Sequence, residues 1–396
     1  MNEKIQMNSL PKGFLFSGVS AGIKPNGDLD MALIYSEVLA NAAGVFTTNQ
    51  VCAAPVKLCR KHLTNSKAKA IIINSGIANA CTGELGMESA SLMAQETANH
   101  LKCSHDDILV CSTGKIGPQL PMDNIFDGIH SLIGSASADQ IESTTQAIMT
   151  TDTKPKLISR SIEWNDKIIS LTGIAKGAGM IEPNMATMLA FIITDANVDP
   201  MLLNSILKLS VNESFNRITV DGDQSTNDSV LILANGASGI VVEKSEKELY
   251  SRFINAVNEI CFELAMMIVK DGEGSDRFVT VSVEGAKSFD DADQAARSVA
   301  NSLLNKTAWA GTYPDWGRIM DAIGYSRAKV DEEKVNIFYG ETQAVKSGVQ
   351  ADTSFEELVN AVSVENLSIR INLGLGVDKA TVYTCNCTEA YVQINV

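Results

Sequence analysis

Residues Ala70 to Asn74 read Ala-Ile-Ile-Ile-Asn, then give way to a loop of small residues through Gly83 and a helically spaced segment from Gly86 to Leu101. The isoleucines fit a pleated, covered surface because branching at Cβ favours the extended chain. Met87, Ala90, Leu92, Met93 and Ala98 instead recur at the intervals of one helix. Strand, glycine loop and helix in that order require a sheet with helices packed outside it.

The theme recurs along the chain. Short apolar runs at Met31 to Ile34 and Ala43 to Thr47 read as strands between turns, and Asp107 to Ser112 reads as another that stops in a turn, Ser112 to Pro118. Helices are expected over Leu120 to His130 and Asp139 to Met149, and a short strand over Leu171 to Ala175. A strand from Thr187 to Ala196 precedes Asp199-Pro200, an N-cap with proline at the first helical position, and a helix to about Phe215. A polar loop from Ile218 to Asp228 leads to a strand over Ser229 to Ala234. The remainder alternates helices (Lys247 to Val269, Asp290 to Asn305, Ser354 to Ala361) with strands (Arg277 to Val283, Val335 to Tyr339, Ser368 to Leu373, Ala380 to Cys385). Since 396 residues exceed one ordinary core, the expected fold is α/β (α+β), in two lobes of β-sheet packed with outer helices.

The formal charge of −15, with no cluster of Lys or Arg, argues against a nucleic-acid partner. Residues 187–396 carry 30 acidic against 17 basic residues, so the excess belongs to the second half. No run approaches the roughly 18 apolar residues of a membrane helix, and Met1 to Lys12 has no signal-peptide pattern. A cytoplasmic protein with no membrane partner is expected. The eight cysteines are spread out and expected to be reduced, and the Cys385, Cys387 pair reads as strand residues rather than a zinc site. All four histidines (His62, His100, His105, His130) precede Lys176, so no histidine-rich metal centre and no histidine base near Thr187 are expected.

Asn184-Met185-Ala186-Thr187 follows a glycine-rich stretch, Lys176 to Met180, and precedes the apolar run Leu189 to Ile193. A threonine hydroxyl is a weak nucleophile without an adjacent base, and a threonine that becomes an N-terminus carries one in its own α-amine. The segment therefore suggests self-cleavage between Ala186 and Thr187. Taken alone, it reads more readily as a threonine opening a strand, since short motifs recur by chance.

Several segments in order decide between these readings. Gly44 to Asn49, Asn74 to Gly83, Ser112-Thr113-Gly114, Lys176 to Thr187, Thr219 to Asp228, Asp271 to Gly274, Trp316-Gly317-Arg318 and Gly324-Tyr325-Ser326 together make the chain resemble the ornithine acetyltransferase family over nearly its whole length. The resemblance implies the self-cleaving fold shared with aminopeptidase-like proteins. It also implies a cut into an α chain (1–186) and a β chain (187–396) that stay together as an α2β2 heterotetramer. The implied activity is ping-pong acetyl transfer from N-acetylornithine to glutamate through acetyl-Thr187, in arginine biosynthesis.

Carried over by residue, the resemblance implies Thr187 as nucleophile, Thr113 and Gly114 as the oxyanion pair, and Thr150, Lys176, Thr187, Glu273 and Asn395 as substrate contacts. No cofactor or metal is implied, with acetyl-CoA as a candidate second acetyl donor. Asp221 and Asp223 look like paired carboxylates but read as loop structure, with no assigned role. Lys115 and Ile77 depart from the family's usual residues, and the chain ends at Val396, one residue after Asn395. Alternatives left open are a paralogue acting on another N-acetyl amino acid, a threonine-nucleophile hydrolase or aminopeptidase, and a non-catalytic binding protein.

Overall fold

The computed structural model describes residues 10–182 and 188–396, which pack into two compact units. The first holds the described residues up to 177, together with 188–216 and Gln224–Ile268; the second holds Ala178–Glu182, Arg217–Asp223 and Val269–Val396. These packing units are not the 1–186 and 187–396 chains of the expected cleavage, since each draws residues from both sides of the 186/187 bond.

The elements run β1 (Phe14–Val19), β2 (Met31–Phe46), α1 (Ala54–His62), β3 (Lys67–Ile77), α2 (Gly83–Leu101), β4 (Ile108–Lys115), α3 (Met122–Ser135) and α4 (Ile141–Ala147). They continue with β5 (Lys156–Trp164), β6 (Lys167–Lys176), β7 (Leu189–Thr194), β8 (Asn197–Val198), α5 (Pro200–Glu213), β9 (Ser229–Ala234), β10 (Val241–Val242) and α6 (Lys247–Lys270). Among the described residues the main sheet orders its strands β4-β3-β2-β9-β7-β6-β5, with β1 added on β2. The β3/β4 and β7/β9 pairs are parallel and the others antiparallel.

Both faces of this sheet are covered, which is why β3 is apolar without alternation. Ile71 and Ile73 join a core with Phe14, Phe191 and Leu231, whereas Ala70 and Ile72 join one with Met93, Ile125 and Ile129 from α2 and α3. Full burial of each isoleucine contributes about 1.5–3 kcal/mol. The strands expected at Met31 to Ile34 and Ala43 to Thr47 are one strand, β2. Its start pairs with β1 and β3 and its end with β9, and the register is irregular between Tyr35 and Ala40. β4 does not stop at Ser112 but continues to Lys115 beside Gly76 and Ile77. β5 went unread because Lys156, Arg160 and Glu163 break its apolar pattern. It forms a hairpin with β6 through Asn165 and Asp166, both left-handed (φ 48° and 60°), as a tight two-residue turn demands. The expected cap of α5 is present: the Asp199 carboxylate accepts the amides of Met201 and Leu202 at 2.9 and 3.2 Å.

The second unit contains β11 (Phe278–Ala286), α7 (Phe289–Asn301), α8 (Leu303–Ala310), α9 (Trp316–Gly324), β12 (Asn336–Tyr339), β13 (Thr342–Lys346) and β14 (Val349–Gln350). α10 (Phe355–Val362), β15 (Asn366–Asn372), β16 (Asp378–Cys385) and α11 (Glu389–Ile394) complete it. Its sheet runs β14-β13-β12-β15-β11-β16. Here burial alternates: Val279, Val281 and Val283 of β11 enter the core against Ala295, Val299, Ile319 and Ile323, while the residues between them stay half-exposed. The single helix expected over Asp290 to Asn305 is broken at Ser302, whose backbone is extended (ψ 113°) and whose side chain caps α8. No helix among the described residues is long and apolar enough to cross a membrane.

Candidate active site

Gly114 lies near the end of β4, an edge strand, directly across from Gly76 of β3. Its φ is +126°, and a Cβ there would sit 2.2 Å from the Gly76 carbonyl carbon. No side chain fits, so glycine is required by backbone approach as well as by conformation. Thr113 beside it is half-buried and Gly114 is exposed. Buried amides hold the neighbourhood in shape: Ser112 Oγ donates to Asn74 Oδ1 at 2.6 Å, and Asn227 Nδ2 donates to the carbonyls of Ala78 and Ser112 at 2.6 and 2.9 Å.

Lys176, the last residue of β6, is buried, and its ammonium donates to Thr150 Oγ1 at 2.8 Å. Two of the expected substrate contacts are thus brought together. Between them lies Asp152, to which the sequence reading gave no role. Its carboxylate accepts the amides of Thr150 (3.1 Å) and Gly177 (2.6 Å), pairs with Lys156 Nζ at 2.8 Å, and lies 3.9 Å from Lys176 Nζ. Burial works to raise its pKa, but the two lysines and the Gly177 amide outweigh that and hold it at about 2. One buried carboxylate between two buried ammonium groups leaves the local field positive, which suits an anionic group.

Ala186 and Thr187 lie outside the described residues. Just beyond them, the Met188 amide donates to Asp228 Oδ1 at 2.5 Å, and the Met188 carbonyl accepts from the Ser229 amide at 3.2 Å. Asp228 is buried, its second oxygen has no hydrogen-bond partner among the described residues, and desolvation pushes its carboxyl well above the usual range. Met188, one residue after the candidate nucleophile, is therefore held by both its amide and its carbonyl.

In the second unit Asn395 Nδ2 donates to Glu273 Oε2 at 2.8 Å, bringing together residues 122 positions apart. Glu273 is buried against Gly179, where a Cβ would fall 2.3 Å from its carboxyl carbon. α11, absent from the sequence reading, carries Asn395 at its end. Thr388 caps it and donates to the Gly274 carbonyl at 2.6 Å. Asp221 anchors the glycine-rich stretch by accepting the amides of Met180 and Ile181 at 2.6 and 2.8 Å, and Tyr391 OH reaches it at 3.2 Å. The structural reading of Asp221 agrees with these bonds, although the two amides lie about 40 residues away, and Tyr391 lies 170 away, and could not be read locally.

Comparison with known proteins adds identity to this geometry. Residues 15–396 match the model of the ArgJ family. The chain belongs to the ArgJ family. A Geobacter sulfurreducens relative called arginine biosynthesis bifunctional protein ArgJ is 47% identical over 97% of this chain and 98% of its own. The Caldanaerobacter subterraneus protein of the same name is 44% identical over 98% and 96%. The crystal structure of the arginine biosynthesis bifunctional protein from Bacillus halodurans aligns with a TM-score of 0.50 and 37% identity, covering 53% of this chain and 99% of that one. Within this ArgJ family chain, the acidic residues missed from sequence (Asp152, Asp228) are buried groups whose partners are backbone amides and lysines. The Thr150-Thr151-Asp152-Thr153 segment offered the only local hint.

Proposed function

We propose that this chain is an autoprocessing acetyltransferase of arginine biosynthesis, moving acetyl from N-acetylornithine to glutamate. The observation that carries the reading is 47% identity, across 97% of the chain, with a relative named for that biosynthesis. The chemistry begins with processing. Thr187 Oγ1 attacks the Ala186 carbonyl carbon, the C–N bond breaks as the peptide shifts to an ester and frees the Thr187 α-amine, and water then hydrolyses the ester to release the Ala186 carboxylate and the Thr187 hydroxyl. With a reference pKa near 7.7–8.0, that amine serves as base at neutral pH.

In the first half-reaction Thr187 Oγ1 adds to the acetyl carbonyl of N-acetylornithine, its proton passing to the α-amine. Collapse of the tetrahedral intermediate releases ornithine, whose nitrogen takes that proton. In the second, the glutamate amine attacks the acetyl ester and Thr187 Oγ1 leaves reprotonated. Thr113 and Gly114 stabilise the oxyanion in both, a donor effect worth about 10²- to 10³-fold in rate. Lys176 and Thr150 take the substrate carboxylate, supported by the positive field around Asp152. Glu273 and Asn395 complete the assigned substrate contacts, and acetyl-CoA is a second donor to be tested. The α and β chains remain associated as α2β2.

Three measurements test this. A denaturing gel shows two chains for the native protein and one full-length chain for Thr187→Ala. Brief incubation with N-acetylornithine adds one acetyl mass to the peptide beginning at Thr187, and glutamate removes it as N-acetylglutamate. Ornithine release that ignores glutamate and yields no N-acetylglutamate would establish the hydrolase alternative instead.

A further inference from the structure

α1 ends at His62, whose buried ring points Nδ1 at the Ile108 carbonyl, 2.7 Å away at the start of β4. A carbonyl only accepts, so Nδ1 carries the hydrogen and, in the neutral ring, Nε2 is left as a lone pair. That nitrogen is buried and has no hydrogen-bond partner among the described residues, with Asp106 Oδ1 at 3.5 Å too distant for one. A buried acceptor without a partner keeps its desolvation penalty uncompensated.

The short turn before β4, His105–Asp107, supplies two more donors. His105 Nδ1 lies 3.0 Å from Asp106 Oδ1, and its other nitrogen, Nε2, lies 3.1 Å from Ser91 Oγ on α2. One donor atom from each of His62, His105 and Asp106 falls within 4.8 Å of the other two, and Asp106 Oδ1 lies 3.5 Å from His62 Nε2 and 3.0 Å from His105 Nδ1. Donor atoms bound to a tetrahedral ion at about 2.0–2.1 Å stand about 3.3 Å apart, so small side-chain rotations would complete the set.

We propose that His62, His105 and Asp106 form a binding site for a divalent transition ion of the zinc type, at the start of β4, whereas Thr113 and Gly114 lie near its end. Two imidazoles and a carboxylate suit Zn2+, and also Co2+ and Ni2+, better than the hard ions Mg2+ and Ca2+. The supporting contacts have the character of metal-site orientation: one ring nitrogen of His62 is tied to a backbone carbonyl and one of His105 to a hydroxyl, each leaving the opposite nitrogen to face the ion. The ion would join α1 to the turn leading into β4. Cys59, three residues before His62, already ties α1 to β4 through the Val110 carbonyl at 3.1 Å.

His62→Ala removes a buried ring and endangers the fold, so the half-buried His105 and exposed Asp106 are the better probes. Zn2+ binding to the purified protein is measured by competition with a chromophoric chelator, for the native chain and for His105→Ala, Asp106→Ala and His100→Ala. The expected result is one saturable Zn2+ per chain, weakened at least about tenfold in each of the first two variants and unchanged in His100→Ala. Acetyl transfer without added metal should be the same in all four. Failure of the native chain to bind Zn2+ saturably, a smaller loss in either of the first two variants, or an equal loss in His100→Ala overturns the proposal. A failure of acetyl transfer in the native chain would instead bear on the function proposed above.

Discussion

The ammonium of Lys176 and the hydroxyl of Thr150, 26 residues apart in sequence, meet at 2.8 Å beside the buried carboxylate of Asp152. A charged group hydrogen-bonded in this way contributes about 1.5–3 kcal/mol when it binds an anion. Lys176→Met should therefore raise the KM for N-acetylornithine by at least about tenfold, while Thr150→Val should give a smaller rise. Steady-state kinetics on fully cleaved protein would read both. An unchanged KM in Lys176→Met would remove Lys176 from carboxylate recognition.

Asp152 should make the protein acid-sensitive in a definite window. Its folded pKa, about 2, lies below the unfolded value of about 3.9, so the stability it contributes is present above pH ~4 and is lost as pH falls toward 2. Asp152→Asn leaves Lys156 and Lys176 without their buried counter-charge and should cost about 3 kcal/mol at neutral pH. Urea unfolding of both proteins should show that difference shrinking below pH ~4.

Asp228 is the opposite case, with its carboxyl pushed well above the usual range by burial. Its folded pKa is raised, so ionisation on going to higher pH opposes folding. Asp228→Asn retains the oxygen that accepts from Met188 and removes that penalty, so its midpoint of thermal unfolding at neutral pH should equal or exceed that of the native chain. Asp228→Ala loses the Met188 anchor and should cost about 1–3 kcal/mol and slow the appearance of the two cleaved chains on a gel.

Gly114→Ala forces a Cβ to within 2.2 Å of Gly76 at a φ of +126°. The displaced strand end should lower kcat by about 10²-fold, with the chain still folded by circular dichroism. Gly179→Ala presses instead on the Glu273 carboxyl at 2.3 Å and should act mainly on KM. Equal kcat in Gly114→Ala and the native enzyme would separate that turn from the oxyanion.

Regular elements were legible where one local period ruled. Lys247 to Lys270 and Asp199-Pro200 were read nearly to the residue, because helix spacing and a proline-bearing cap act over a few positions. Ser302 was not, since nothing in the alanine-rich pattern around it signals a break. The hairpin arm β5 was missed because its charged residues hide the alternation.

The sequence by itself determined the sheet-and-helix architecture, the two-unit scale and, through its ordered motifs, the family. Those signals are local or collinear, carried by side-chain shape and spacing. Only the tertiary structure decided that Lys176 meets Thr150 over Asp152, that Asn395 reaches Glu273, that Gly114 must clear Gly76, and that His62 faces His105. Each of these joins separate elements, and whether two side chains meet depends on strand register and helix packing. No short window of sequence contains either.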